Sequence, residues 1–112
     1  MSGPQLNRLL GLEGIQRVAD GAGGFSRAWV QRGQLWAEVL PGSGRDVPGE
    51  EVTLTSVPYR ITVRGAPFGT PSRPVAGQRF REGDRLFAIV AVTERDADGR
   101  YLTCFAREAR LK

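Results

Sequence analysis

The residues with chemistry to offer are few and scattered along the 112-residue chain. Ser43 in "PGSGRD" stands among glycines, but its spacing is not that of a G-x-S-x-G nucleophile turn, and the chain has no histidine to take a hydroxyl proton. The glycine-rich "DGAGGFS" at residues 20–26 lacks the lysine and the following helix of a phosphate-binding loop, so it reads as a hairpin turn. Carboxylates come in two loop pairs, Glu50 with Glu51 and Asp96 with Asp98. Two such oxygen donors alone would hold a cation weakly, so neither a metal nor a cofactor is expected. The single cysteine, Cys104 in "YLTCFAR", excludes an internal disulfide and lies among apolar neighbours, as a buried structural thiol does. No catalytic constellation emerges, and the chain is read as a non-enzyme.

What remains is arginine. The formal charge is +4 and the pI about 10.2, and the last residue, Lys112, is the only lysine. Guanidinium groups form planar, paired contacts with carboxylate or phosphate, which suits either a subunit interface or a nucleic-acid backbone. Arginines next to aromatics, at Tyr59–Arg60, Arg79–Phe80–Arg81 and Arg100–Tyr101, would make a base-stacking face if the rings were exposed. Phe80, Phe87 and Phe105 sit in strand-like segments where core packing is the default, which leaves little exposed aromatic platform.

These residues must be positioned by short extended segments. Fifteen glycines and seven prolines in a chain that is 40% hydrophobic point to many turns in one all-β domain spanning residues 1–112. At this length roughly 65% of the unfolded surface can be buried, enough for independent folding. Nothing resembles a signal peptide or an apolar run of about 20 residues, so the chain is expected to start out soluble in the cytosol.

Alternating apolar residues from Leu6 to Leu12 predict a long or broken strand, and residues 20–24 a hairpin turn into "FSRAWV". Trp29 and Trp36 are an odd number of positions apart and would face opposite ways in an unbroken strand; a bulge at Gly33 reconciles them. Leu35, Ala37 and Val39 should then face the core, with Trp36, Glu38 and Leu40 outside. A strand is expected from Val57 to Arg64, with Pro58 at its start or on an edge. "RLFAIVAVTE" is apolar on both faces, and Asp98 with Gly99 should supply two residues of positive φ in the turn to "YLTCFAREA". The expected core is Leu35, Ala37, Val39, Ile61, Val63, Phe87, Ile89, Val90, Leu102 and Cys104.

Two irregular stretches interrupt this pattern. Pro41, Gly42, Ser43, Gly44, Arg45, Asp46, Val47, Pro48, Gly49, Glu50 and Glu51 form an 11-residue stretch with no periodicity, long against hairpin loops of about two to five residues. No local spacing rule pairs its charges, Arg45, Asp46, Glu50 and Glu51, which marks it as a candidate interface or channel loop. A second candidate, residues 65–77, carries three prolines and includes Phe68 and Arg73.

Several segments together resemble the phage head-tail joining family, also called head-completion or stopper proteins: "LNRLLGLE", "VADGAGGFSRAWV", "LWAEVLPGSGRD", "YRITVR", "GQRFREGDRLFAIVAV" and "DGRYLTCFAREA". They run in the family's order over almost the whole chain. The stretch "EEVTLTSV" departs from it, since many relatives carry a helical segment there, and residues 65–77 are longer than the family's usual connection. The resemblance implies a small single-domain β-barrel with long loops, a subunit of a ring, typically a hexamer. Its implied partners are itself, an adaptor or portal ring above, a tail terminator or tail tube below, and packaged double-stranded DNA in the channel, with no membrane. Its implied place is the portal-vertex neck of a phage, prophage or gene transfer agent particle. The alternative, from another class, is a small OB-like or SH3-like nucleic-acid-binding module, and a third reading is an accessory subunit of an enzyme.

Overall fold

The computed structural model describes residues 3–42 and 56–109. Six strands, β1 (Arg8–Ala19), β2 (Phe25–Pro41), β3 (Ser56–Arg64), β4 (Arg79–Glu82), β5 (Arg85–Glu94) and β6 (Tyr101–Ala109), close into a barrel in the order β1-β2-β3-β6-β5-β4. Every pairing is antiparallel. Six strands leave an interior only wide enough for side chains. Leu10 and Leu12 of β1, Ala37 of β2, Tyr59, Ile61 and Val63 of β3, Phe80 of β4, Phe87 and Ile89 of β5, and Leu102, Cys104 and Ala106 of β6 fill it. The Tyr59 and Phe87 rings meet edge to face at 5.2 Å, a favoured aromatic geometry.

Two bulges decide which way the strands point. Leu12 pairs with Gly33 and Glu13 with Gln31, so Arg32 is the extra residue beside the glycine anticipated in the sequence. The shift puts Trp29 opposite Ile15 and Trp36 opposite Leu9, both tryptophans on the outer face. The second bulge lies between Ile89 and Ala91 of β5 and corrects the expected core: Val90 is the extra residue and is half-exposed, while Ile89 stays inside against Ala106. Leu35 and Val39 flank the core partly buried. Leu10, Leu12, Tyr59, Phe80 and Ala106 belong to the core and were missing from the sequence-based set.

The β1–β2 turn at residues 20–24 uses Gly21 and Gly23 at φ of 80° and 86°, and the Asp20 carboxylate accepts the Ala22 and Gly24 amides. At the β5–β6 turn only Gly99 has positive φ, so Asp98 does not share that role; Asp96 caps the turn by accepting the Arg100 amide. Strand β4, four residues long around the strand-like Phe80, closes the barrel by bonding β1 at Gly11–Glu13 and β5 along its whole length, a role that was not anticipated.

Candidate docking surfaces

One end of the barrel gathers the starts of β1, β3 and β5 and the ends of β2, β4 and β6, as their pairings require. Inward-pointing positions here are charged instead of apolar. Arg85 donates two hydrogen bonds to the nearly buried Glu108, at 2.7 and 3.0 Å, and one to the Tyr59 hydroxyl at 3.2 Å. Arg8 donates two to Glu82, whose carboxylate also lies 3.9 Å from Arg85. The hydrogen bonds from Arg8 hold the Glu82 carboxyl below its ordinary range against the opposing effect of burial, and Glu108 raises the Arg85 guanidinium. The network stitches β1, β3, β4, β5 and β6 together as a polar plug, so this end is closed by paired charge and its groups are satisfied.

From this end departs the first candidate loop. Pro41 pairs with Tyr59, and the Gly42 amide donates to the Pro58 carbonyl at 2.9 Å, which fixes the base of the loop on the barrel. Ser43, Gly44, Arg45, Asp46, Val47, Pro48, Gly49, Glu50 and Glu51 lie outside the described residues.

The opposite end carries residues 65–78, the β5–β6 turn and the departure of the β1–β2 hairpin. The second candidate pair comes together: the Arg73 guanidinium lies 3.7 Å over the Phe68 ring and donates to the Ala66 carbonyl at 2.7 Å. Phe68 is 81% exposed and held out from the barrel, beside a groove lined by Pro74, Val75, Ala76 and Val92. Pro74 is fully buried and pins the segment. Gly65 donates to the Arg100 carbonyl at 2.7 Å, and a Cβ there would run into the Gly99 carbonyl oxygen, so this glycine allows residues 65–66 to pass under the β5–β6 turn.

On the outer wall, Glu13 accepts from Arg79 at 2.6 Å and Arg81 at 2.9 Å across the β1–β4 seam. Burial works against the Glu13 carboxylate, but the two guanidinium hydrogen bonds outweigh it and hold its pKa below the ordinary value. Arg79 also stacks 4.0 Å over the Trp29 ring. Burial pushes the Cys104 thiol up to about 12, which fits an inert core group.

Two of the three arginine–aromatic clusters read from the sequence do not form a stacking face: Tyr59 and Phe80 are buried, and Arg79 and Arg81 are engaged by Glu13. The expectation of few exposed aromatics is nonetheless corrected. Phe25, Trp29, Trp36 and Phe68 are all exposed, because the first bulge turns both tryptophans outward and the hairpin carries Phe25 clear of the barrel. Among the described residues no three His, Cys, Asp or Glu side chains cluster as metal ligands.

A closed barrel whose outer wall and far end display aromatic and arginine side chains, the composition of protein–protein contact centres, defines the class: a small all-β module built to dock. The chain belongs to the phage head completion protein family, whose model matches residues 1–109. It is similar to a chain in the virion of a native gene transfer agent particle, at 57% identity over 98% of this chain and 100% of that one, with a TM-score of 0.79. A Shigella flexneri 2a protein known from its solution structure shares the fold at 23% identity, with a TM-score of 0.71 and full coverage of both chains. Among curated proteins none matches.

Proposed function

We propose that the chain is a structural head-tail connector, a stopper-ring subunit of a tailed phage or gene transfer agent particle, made in the bacterial cytoplasm and built into the portal-vertex neck. It assembles with itself as a ring, six copies in this reading, docks an adaptor or portal ring on one side and a tail terminator or tail tube on the other, and encircles the double-stranded DNA that it helps to retain. The observation that carries this reading is the likeness, over essentially the full length of both chains, to a component of a gene transfer agent virion. The barrel supports it in a second way. The two candidate loops leave opposite ends, at Pro41–Gly42 and at residues 65–77, so each end can meet a different neighbour. The role asks for no chemistry, and we read the chain as a non-enzyme.

Deleting the gene in a producing strain tests the reading. The expected result is full-sized heads that lose DNA or carry no tails, by electron microscopy and nuclease protection, with rescue by the gene in trans. Tailed, DNA-filled particles at normal yield without the protein would refute it. The nucleic-acid-module alternative predicts submicromolar, salt-dependent binding of single-stranded DNA by the isolated protein, and a titration near physiological salt decides it.

A further inference from the structure

The β1–β2 hairpin is longer than the barrel that holds it. β1 meets β4 only at Gly11–Glu13, and β2 meets β3 only at Ala37–Pro41, so Gly14–Ala19 and their partners in Phe25–Val30 pair with each other alone. Six residues of two-stranded ribbon extend about 20 Å at 3.3 Å per residue. A bare two-stranded ribbon is marginal in water, and both of its backbone edges here are open. Its outer face is nonetheless apolar and cationic: Ile15, Phe25 and Trp29 are exposed, and Arg17 lies directly opposite Arg27 in the register. Facing like charges destabilise such a pair unless an anion neutralises them. Arg17 stacks on Phe25 at 4.3 Å and leaves its charge unanswered by any carboxylate of the arm, since Asp20 is turned into its own turn.

The complementary charge is on the same chain. The β5–β6 turn, with Glu94 at its base, carries three carboxylates, Glu94, Asp96 and Asp98, against two guanidiniums, Arg95 and Arg100, and Arg100 lies 3.9 Å from Asp98 on the exposed surface, so the turn keeps a net charge of −1. It leaves the same end of the barrel as the arm. In the strand order, β3 on one side and β4 on the other separate the β1–β2 pair from the β6–β5 pair, so arm and turn lie on opposite walls. In a head-to-tail ring each subunit sets one surface against a different surface of the next, an arrangement that an arm and a turn on opposite walls allow.

We infer that the arm is the ring-forming element: its Phe25–Trp29–Arg17–Arg27 face docks on a second copy of the chain, with the arginines meeting the Glu94/Asp98 turn. This rests on the connector reading above and names which surface closes the ring.

Cross-linking in purified particles tests it. Cys104 is buried and does not interfere. With Arg27→Cys and Asp98→Cys combined, mild oxidation should give a ladder of multimers of this chain on non-reducing gels, and neither single variant should. A dimer from Arg27→Cys alone would mean that arms meet arms. A bond to another neck protein would mean that the arm docks elsewhere. Either result overturns the inference, as does a double variant present in particles without a ladder. If the double variant does not enter particles, charge reversal decides: Arg27→Glu should cut incorporation at least tenfold, and Arg27→Glu with Asp98→Arg should restore it, while failure to restore overturns the contact. DNA loss from Arg27→Glu particles with incorporation unchanged would assign the arginines to DNA instead. The wild-type blot separates the two readings, because absence of the unmodified protein from particles refutes the connector role itself.

Discussion

Ile89 and Val90 are neighbours in one strand with similar side chains, and the bulge in β5 gives them opposite fates. Ile89 is 2% exposed, enclosed between Phe87 and Ala106 positions on the inner wall, whereas Val90 is the extra residue and half-exposed. Ile89→Ala removes three carbons from a closed barrel; at about 0.8 kcal/mol per buried methylene the transfer loss is about 2.4 kcal/mol, and the cavity left behind brings the cost to about 3–4 kcal/mol. Unfolding entropy of about 2.1 cal/mol/K per residue converts each kcal/mol to roughly 4 °C for a domain of this length, so Tm should fall by about 12–17 °C. Val90→Ala removes two carbons that water already reaches, and should cost below about 1 kcal/mol, or below about 4 °C. Parallel thermal melts of the isolated protein by circular dichroism measure both. Equal losses for the two variants, or a larger loss for Val90→Ala, would refute the bulge and the inward assignment of Ile89.

Three further outcomes follow from the same structure. Replacing residues 41–51 by a four-residue turn should leave Tm of the isolated protein within about 2 °C, since Val47 is the one residue of that stretch whose type suits an apolar anchor, while particles carrying the variant should leak DNA or lack tails; a variant that fails to fold would place the loop in the barrel's own core. Glu13 and Glu82 have folded-state pKa values below their unfolded ones, so their contribution is complete above the ordinary glutamate pKa of about 4.3 and is lost as pH falls through the lowered values; Glu82→Gln should flatten the acid limb of a pH–stability curve, and an unchanged limb would contradict the pairing with Arg8. Cys104, buried with its thiol pushed up to about 12, should react with an aromatic disulfide reagent at pH 8 only on unfolding, and rapid labelling of the native protein would contradict its place in the core.

Much of the barrel could be read from residue patterns because each device has a local signature. The hairpin at residues 20–24 follows from glycines that accept positive φ, and the Gly33 bulge from two tryptophans at incompatible spacing. Ile61 and Val63 of β3 and Leu102 and Cys104 of β6 follow from strict alternation, whereas Tyr59 and Ala106, at the next inward positions of the same strands, were not read as core. What escaped had no local signal. Val90 looks like a core residue because its neighbours do, and the bulge that turns it out exists only in the pairing with β6. β4 is too short to show periodicity, and its closing role depends on β1, more than 60 residues earlier in the chain. The polar plug was equally hidden: Arg8, Glu82, Arg85 and Glu108 are ordinary surface residues until closure brings them to one end. Of the two candidate loops, the pairing of Phe68 with Arg73 is visible as a stack, whereas residues 43–51 lie outside the described residues. The hairpin arm was legible as a hairpin, but its projection was not, since where β3 and β4 stop pairing is a property of the closed sheet.

The connector role is tested most directly by cryo-electron microscopy of the particle neck, comparing particles from the producing strain with those from a strain lacking the gene. The account predicts a ring of six-stranded barrels between the portal or adaptor and the tail, with the polar-plug end and the Phe68–Arg73 end facing different neighbours, and loss of that ring together with the tail in the deletion strain. An unchanged neck in particles that lack the protein would contradict it.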